Sequence, residues 1–195
     1  MSQPALKSEP GVVHAAMNYA VNTGVKPVAE TGGADGLERK STTVIDSQIV
    51  AIADARPQRA TLSIDVEGFE LVDQPTAMTD FLDEDQLRTV YYREVEALIA
   101  ARAGCKRVHV FDHTIRHGDP ELRAALKLRE PVPFVHNDYT DWSGPQRVRD
   151  FFPDQAADLL ARRVAIIQVW RPINASVLRD PLGIADARSI GSPAQ

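Results

Sequence analysis

The architecture of this chain is most directly inferred from one segment near its last third, Val135-His136-Asn137-Asp138-Tyr139-Thr140. In an extended segment, residues i and i+2 project from the same face, about 6.5–7 Å apart at the backbone. The side chains of His136 and Asp138 can therefore bend toward one ion. A later run, 163–170, is rich in branched residues and predicts a strand that ends just before Arg171-Pro172.

One imidazole and one carboxylate are two of the three protein ligands in the facial triad that holds non-haem Fe(II), where a second imidazole completes the set. The spacing makes His136 and Asp138 candidates for metal ligands and catalytic residues, but a His-x-Asp match is also expected by chance in a chain of this composition, so the motif alone leaves both interpretations open. No histidine follows His136 in the sequence, so the third ligand is not evident. A second His-x-Asp match, at 117–119, contains glycine and precedes a proline, which favours a turn.

Three upstream histidines, His109, His113 and His117, have the i, i+4, i+8 spacing that would line one face of a helix. The surrounding residues 107–115 instead favour a strand. Residues four apart on a strand lie about 13 Å apart, which is too far for neighbouring bonds of about 2.0–2.1 Å to one metal ion. These histidines are therefore predicted to be polar or packed strand residues.

The composition is that of an ordinary single domain: 195 residues, 44% hydrophobic and 25% charged. A net charge of -5 gives no electrostatic reason to expect a nucleic acid or an anionic membrane as partner. No apolar run approaches the roughly 20 residues that cross a bilayer, and the N-terminus lacks the pattern of a secretory signal. The single cysteine, Cys105, excludes an internal disulfide and fits a reducing cytoplasm.

The pattern along the chain predicts an α+β fold dominated by β structure, with one flanking helix. Residues 1–40 are expected to be a loosely ordered lead-in, and residues 41–195 a single domain. The helix is predicted to begin in the capping residues 79–85 and to end at Gly104. Extended segments are predicted at 44–52, 61–66, 107–115 and 163–170, and two short helices at 146–152 and 154–162, separated by Pro153.

The ordered set of motifs over residues 18–189 resembles one known family. Its elements are Gly68-Phe69-Glu70-Leu71-Val72, the helix segment 91–96, the run 107–116, the block 135–140, Gln168-Val169-Trp170-Arg171-Pro172-Ile173, Asp180-Pro181-Leu182 and Ala185-Asp186. Together they are similar to the hydroxylase/desaturase family that includes cephalosporin hydroxylase-type (CmcJ-type) proteins and fungal AsaB-like enzymes of secondary metabolism.

The resemblance implies a double-stranded β-helix, or jelly roll, that uses Fe(II), 2-oxoglutarate and O₂ to hydroxylate or desaturate a small secondary-metabolite-like substrate. It matches His136 and Asp138 to the proximal iron ligands. Arg171 is a candidate for binding the 2-oxoglutarate carboxylate, because a guanidinium pairs with a carboxylate bidentately; a structural ion pair is the alternative. Tyr139 and Trp170 are expected to line the pocket or to pack in a β core.

Family members continue past the Pro-Leu element, through strands that bring a distal histidine and a basic residue. Three explanations stay open for this sequence: a fragment or truncated product whose jelly roll is incomplete at the C-terminus, a ligand recruited from His109 or His113, and a degenerate relative without activity. The first and third are preferred. An inactive relative would bind a small ligand or a partner protein. A hydrolytic zinc enzyme is a weaker alternative, since no His-Glu-x-x-His or cysteine framework is present. The oligomeric state stays open, with a homodimer among the alternatives.

Overall fold

The computed structural model describes residues 11–32, 38–173, 176–177 and 179–191. Strand β1 (Val12–Ala20) pairs antiparallel with β4 (Ile45–Ala53), in a register that runs from Val12 opposite Ala53 to Ala20 opposite Ile45. Between them in the sequence, β2 (Ala29–Gly32) pairs antiparallel with β3 (Glu38–Ser41). The strands of the described residues therefore form two separate two-stranded pairs.

The long pair joins the two sides of the expected boundary at residue 40. β4 confirms the extended segment predicted at 44–52, where β-branched residues favour a strand. Its partner β1 lies within the segment that was expected to be a loosely ordered lead-in, and so does β2. That expectation is wrong for these two stretches, because the ladder of β1 with β4 and the ladder of β2 with β3 supply the order that their own composition does not predict. Residues 1–10 and 33–37 of the lead-in lie outside the described residues.

The predicted long helix is confirmed, with one irregularity. Asp83 caps its start, since its Oδ1 accepts hydrogen bonds from the backbone N–H groups of Asp85 and Gln86 at 2.9 and 3.1 Å. The helix then runs through α1 (Glu84–Gln86), a π-helical turn (Leu87–Tyr91) and α2 (Tyr92–Ala103). Gly104, at φ 61°, ends it in the left-handed conformation that glycine tolerates.

Three shorter helices follow. α3 (Pro120–Leu126) was not predicted, although Asp119 caps it and a proline occupies its first turn. The segment 117–119, predicted to be a turn, therefore leads directly into α3, with Asp119 as its N-cap. α4 (Ser143–Phe151) and α5 (Ala156–Leu160) confirm the two short helices on either side of Pro153, with shifted ends. Short 3₁₀ helices occur at Arg56–Gln58 and Ala187–Ser189.

The α+β class is confirmed, but the predicted dominance of β structure is wrong for the described residues. Residues 61–66 form turns, in which the Ser63 carbonyl accepts from the N–H groups of the residues at 66, 67 and 68. The runs 107–115 and 163–170 belong to neither strand pair. A branched or alternating sequence becomes a strand only where a neighbouring strand completes its hydrogen bonds, and these runs have no such neighbour in the part of the chain described.

Little of the described chain is buried. Leu87 and Ala156 are the buried apolar residues of this part, and Glu67 is its buried charged residue. Glu67 is satisfied, since it accepts from the Ser63 N–H at 2.9 Å and pairs with Arg188 at 3.0 Å. Large apolar side chains of the described residues are exposed instead, among them Val25, Val28 and Trp142.

None of the helices in the described ranges combines the length and the apolar character required to cross a membrane.

Candidate metal centre

The segment that carries His136 and Asp138 is attached to the edge of β1. The Val135 N–H donates to the Asn18 carbonyl at 2.8 Å, and Tyr19 forms a parallel bridge with Val135. The Asn18 side chain donates in turn to the Pro133 carbonyl at 2.7 Å. A strand far away in the sequence therefore fixes the backbone immediately before the predicted metal ligands.

The imidazole of His136 is held through one of its two nitrogens. Its Nδ1 lies 2.9 Å from the Phe134 carbonyl oxygen. Since a carbonyl only accepts, Nδ1 carries the proton in this contact. In the neutral form of the ring this leaves the lone pair on Nε2, which can bind a metal ion, and in the doubly protonated form Nε2–H can donate to Asp138. Hydrogen bonds of this kind commonly set the tautomer of metal-binding histidines.

The carboxylate of Asp138 has its two oxygens in different surroundings. Oδ1 lies 3.3 Å from Nε2 of His136. Oδ2 accepts a hydrogen bond from the side-chain amide of Gln168. Both site residues are partly open to solvent, with side-chain exposures of 37% for His136 and 46% for Asp138. The structure therefore brings the two predicted ligands together, with one nitrogen and one oxygen 3.3 Å apart near the surface.

The geometry of this pair fits one metal ion. Two ligand atoms bound at about 2.1 Å and at right angles lie about 3.0 Å apart. The observed separation of 3.3 Å approaches that value before any adjustment of the side chains. An imidazole nitrogen and a carboxylate oxygen are also the donor types of the non-haem iron triad. His136 and Asp138 thus supply two suitable ligand positions.

A third protein ligand is not assembled in the described part of the chain, where no three histidine, cysteine, aspartate or glutamate side chains are grouped to hold a metal ion. His109 packs edge-on against Phe151 and Phe152. His113 contacts the Tyr92 hydroxyl at 2.7 Å and Glu84 at 3.2 Å. Among the described residues, His109 and His113 thus have other partners, and no cluster supports recruiting either as the third ligand.

Arg171 lies in a different cluster, against the π-helical turn of the long helix. Its Nη2 donates to the Gln74 carbonyl, and its guanidinium carbon is 5.7 Å from the centre of the Tyr91 ring. Burial raises the pKa of the Tyr91 hydroxyl, while the nearby Arg171 opposes that shift. The structure thus gives Arg171 internal partners, a backbone carbonyl and an aromatic ring.

Glu94 completes the Arg171 cluster. It accepts from the Ala77 N–H at 2.7 Å and from the Thr76 hydroxyl at 2.5 Å. These hydrogen bonds, with a smaller contribution from Arg171, hold the pKa of the Glu94 carboxyl below its ordinary value. The carboxylate therefore ties the loop at 76–77 to the long helix.

The two aromatic candidates lie in unlike surroundings. Tyr139 meets Phe111 edge-on, with ring centres 6.2 Å apart, and the guanidinium of Arg147 lies 5.9 Å from its ring centre. Trp170 is half exposed. Tyr139, the residue that follows Asp138, is therefore held in place by these ring contacts. Trp170 does not pack in a core.

Sequence reasoning did not identify Gln168, Phe134 or Asn18 as parts of the site. Gln168 was noted only as the first residue of a family motif. A polar amide within an otherwise apolar run was the one available signal for it. Phe134 and Asn18 act through their backbone carbonyls, and Asn18 also through its side-chain amide. Every residue type has a backbone carbonyl, so the sequence does not reveal such a contact.

The chain combines antiparallel strand pairs and helices with an imidazole and a carboxylate that lie 3.3 Å apart. The sequence profile of one family, the oxidoreductase/YMDC permease-like domain, matches residues 17–194, and the chain belongs to this family. The hydroxylase/desaturase resemblance is confirmed as well, since relatives carry that name.

Two curated relatives illustrate the match. Oxidoreductase AN1597 of Emericella nidulans is 37% identical over 187 residues, which cover 92% of this chain and 62% of the relative. Hydroxylase/desaturase CTB9 of Cercospora beticola is 30% identical over 172 residues, covering 82% of this chain and 52% of the relative. The chain thus spans between about half and three-fifths of the length of these two proteins.

Among solved structures, the chain is similar to the iron and alpha-ketoglutarate-dependent endoperoxidase NvfI. The TM-score is 0.62 at 19% sequence identity, with 78% of this chain and 56% of that one covered. At this identity the likeness concerns the fold.

Proposed function

We propose that this chain binds Fe(II) through His136 and Asp138 and takes part, with 2-oxoglutarate and O₂, in the hydroxylation or desaturation of a small secondary-metabolite-like substrate. The observation that carries the proposal is the 3.3 Å approach of His136 Nε2 to Asp138 Oδ1. The far atoms of both groups, Nδ1 and Oδ2, are already occupied by hydrogen bonds. The relative CTB9, named a hydroxylase/desaturase, and the fold neighbour NvfI, an iron and alpha-ketoglutarate-dependent endoperoxidase, support the same chemistry.

When bound, Fe(II) with 2-oxoglutarate supplies the oxidation of a substrate C–H bond by O₂. The chain's own residues position that chemistry. The Phe134 carbonyl retains the proton on Nδ1 of His136, so that Nε2 presents its lone pair to the ion. Asp138 contributes a negative charge through Oδ1. The remaining coordination positions of the ion would be filled by groups other than His136 and Asp138.

For Arg171 we propose binding of the 2-oxoglutarate carboxylate, and for Tyr139 a place beside the cofactor. A guanidinium has five N–H donors, more than the contact with the Gln74 carbonyl uses. The cofactor role of Arg171 therefore competes with its structural role in the cluster around Tyr91. The ring contacts of Tyr139 with Phe111 and Arg147 fix it next to the metal ligands.

The proposed architecture is the jelly roll of the hydroxylase/desaturase family. Its support is the likeness in fold to NvfI, with a TM-score of 0.62, and the antiparallel pairing of β1 with β4. A jelly roll is built from such antiparallel pairs.

The test of the proposed activity is succinate formation from 2-oxoglutarate under O₂, with and without Fe(II). The chain is expected to form succinate in an Fe(II)-dependent manner, and His136→Ala is expected to abolish it. His14→Ala, which removes an exposed histidine of β1, is the matched control and should leave the rate unchanged. Equal turnover by the wild-type chain and His136→Ala would overturn the proposal.

A second candidate is a relative without catalysis that binds a small ligand or a partner protein. The observation that favours it is the absence of a third clustered ligand among the described residues. It predicts no stoichiometric Fe(II) binding at neutral pH. Tight Fe(II) binding that is lost in Asp138→Ala would exclude it.

For the oligomeric state we propose a homodimer, supported by the apolar residues exposed on β4. Ile45 and Ile49, four residues apart and therefore on one face of the strand, are 42% and 59% exposed. Light scattering should give a mass of twice 21.4 kDa, falling to the monomer mass in Ile49→Lys. A monomeric wild-type chain would contradict it.

A further inference from the structure

Gln168 makes the contact that fixes which oxygen of Asp138 is available. The two residues are 30 positions apart in the sequence, and the Gln168 amide donates to Oδ2 of Asp138. An ionised carboxylate only accepts hydrogen bonds, so the NH₂ end of the amide must face it. The contact links the block 135–140 to the run 163–170, which lies outside both strand pairs.

We propose that Gln168 is a positioning residue that holds Asp138 as a ligand through one oxygen. This inference rests on the proposed metal site. With Oδ2 bound to the amide, Oδ1 is the oxygen that remains 3.3 Å from His136 Nε2. Without the amide, rotation about the last side-chain bond would exchange the two oxygens or turn both away. At 46% exposure, little else restrains that rotation.

The arrangement around Asp138 matches the arrangement around His136. In each proposed ligand the near atom, Nε2 or Oδ1, lies 3.3 Å from that of the other, and the far atom is hydrogen-bonded to the protein. The Phe134 carbonyl serves His136 and the Gln168 amide serves Asp138. Partners of this kind orient metal ligands, and their loss typically lowers metal affinity about 10–100-fold.

Gln168 also connects the two halves of the proposed cofactor site. It lies three residues before Arg171, which binds the Gln74 carbonyl and contacts Tyr91. The segment 168–171 therefore reaches the iron ligand at one end and the proposed carboxylate-binding guanidinium at the other. A shift of this segment would move both together.

The side chain at this position has to be a neutral donor of this length. Gln168→Glu would place a second carboxylate against Asp138 and remove the donor. Gln168→Met keeps a similar length and shape but cannot donate, so it separates the hydrogen bond from packing.

The experiment is a titration of the chain with Co(II), followed by the visible ligand-field absorption of the bound ion. Gln168→Met is expected to weaken Co(II) binding by about 10–100-fold and to change the absorption spectrum, with an unchanged melting temperature in the absence of metal. Gln168→Glu is expected to weaken binding at least as much. Gln48→Met is the matched control, because Gln48 donates to the Asp46 carboxylate at 2.7 Å on β4, and it should bind Co(II) as the wild-type chain does.

The outcomes separate this inference from the proposed function. If the wild-type chain binds Co(II), His136→Ala does not, and Gln168→Met matches the wild type in affinity and spectrum, the positioning role is overturned while the metal site stands. If the wild-type chain and His136→Ala are equally unable to bind Co(II), the metal site fails and the role of Gln168 fails with it. Weaker binding by Gln168→Met with a normal Gln48→Met control supports the inference.

Discussion

The His136–Asp138 pair and the Arg171 cluster differ in where their polar atoms point. In the pair, each side chain uses one atom on the protein, and the remaining two atoms lie 3.3 Å apart on partly exposed side chains. In the cluster, Arg171 and Glu94 use their polar atoms on the loop at 74–77 and on the long helix. The first arrangement fits an external ligand, whereas the second stabilises the fold. Mutations in the two regions should therefore affect different measurements.

The largest effect on stability is expected at Leu87, next to the Arg171 cluster. Leu87, in the π-helical turn, is 2% exposed and is a main element of a small core. Leu87→Ala should lower the free energy of unfolding by about 2–5 kcal/mol through the cavity it creates. Urea denaturation measures this. The exposed Leu122→Ala is the control and should cost far less; equal losses would show that the core does not centre on the helix.

Arg171→Met should have the next largest effect. It removes the donor to the Gln74 carbonyl and the contact with Tyr91, at a cost of about 1–3 kcal/mol if the carbonyl is left unpaired. Co(II) affinity should stay unchanged. The proposed carboxylate binding adds a raised KM for 2-oxoglutarate in Arg171→Met; full stability would contradict the structural role of Arg171, and an unchanged KM would contradict its cofactor role.

A smaller, pH-dependent effect is expected at Glu94. Its hydrogen bonds from the Ala77 N–H and the Thr76 hydroxyl lower the pKa of the carboxyl in the folded protein below the ordinary value of 4.5. A lowered pKa means that this stabilisation is present above pH 4.5 and is lost as the pH falls through the folded value.

Urea unfolding at pH 7 and at pH 3 tests this prediction. Glu94→Gln should be less stable than the wild type at pH 7 and should lose less stability on acidification. Glu96→Gln is the control, because Glu96 is tied to Arg93 of the same helix at 3.0 Å and shows no link to the loop in these contacts. An identical acid response in Glu94→Gln and the wild type would contradict the assignment.

The long helix shows what local sequence signals can predict. Asp83 and Gly104 act within a few residues of themselves, so its start and end were visible in the sequence. The π-helical turn between them was not, and neither was α3, whose Asp119-Pro120 start was interpreted as a turn. Asp and Pro both occur at turns as well as at helix starts, so residue type alone does not distinguish a turn from the start of α3.

The strands and the site depend on long-range contacts, which residue type does not reveal. The strand sequences at 107–115 and 163–170 lack a ladder in the described residues, while β1 acquires one from β4. The i, i+2 spacing predicted that His136 and Asp138 would meet, because that geometry is local. Gln168, which binds Asp138, is 30 positions away from it, and Asn18, which holds the backbone before the pair, is 115 positions away from its partner Pro133. No spacing rule reaches that far.

The most direct test of the central claim is the dissociation constant of Fe(II), measured anaerobically by equilibrium dialysis at neutral pH. The wild-type chain is expected to bind one Fe(II), and His136→Ala and Asp138→Ala are each expected to lose affinity by more than the roughly 100-fold that an orienting partner contributes. Because both side chains are partly exposed, their melting temperatures should stay near that of the wild type. Wild-type affinity in both variants would contradict the claim that this pair is the metal centre.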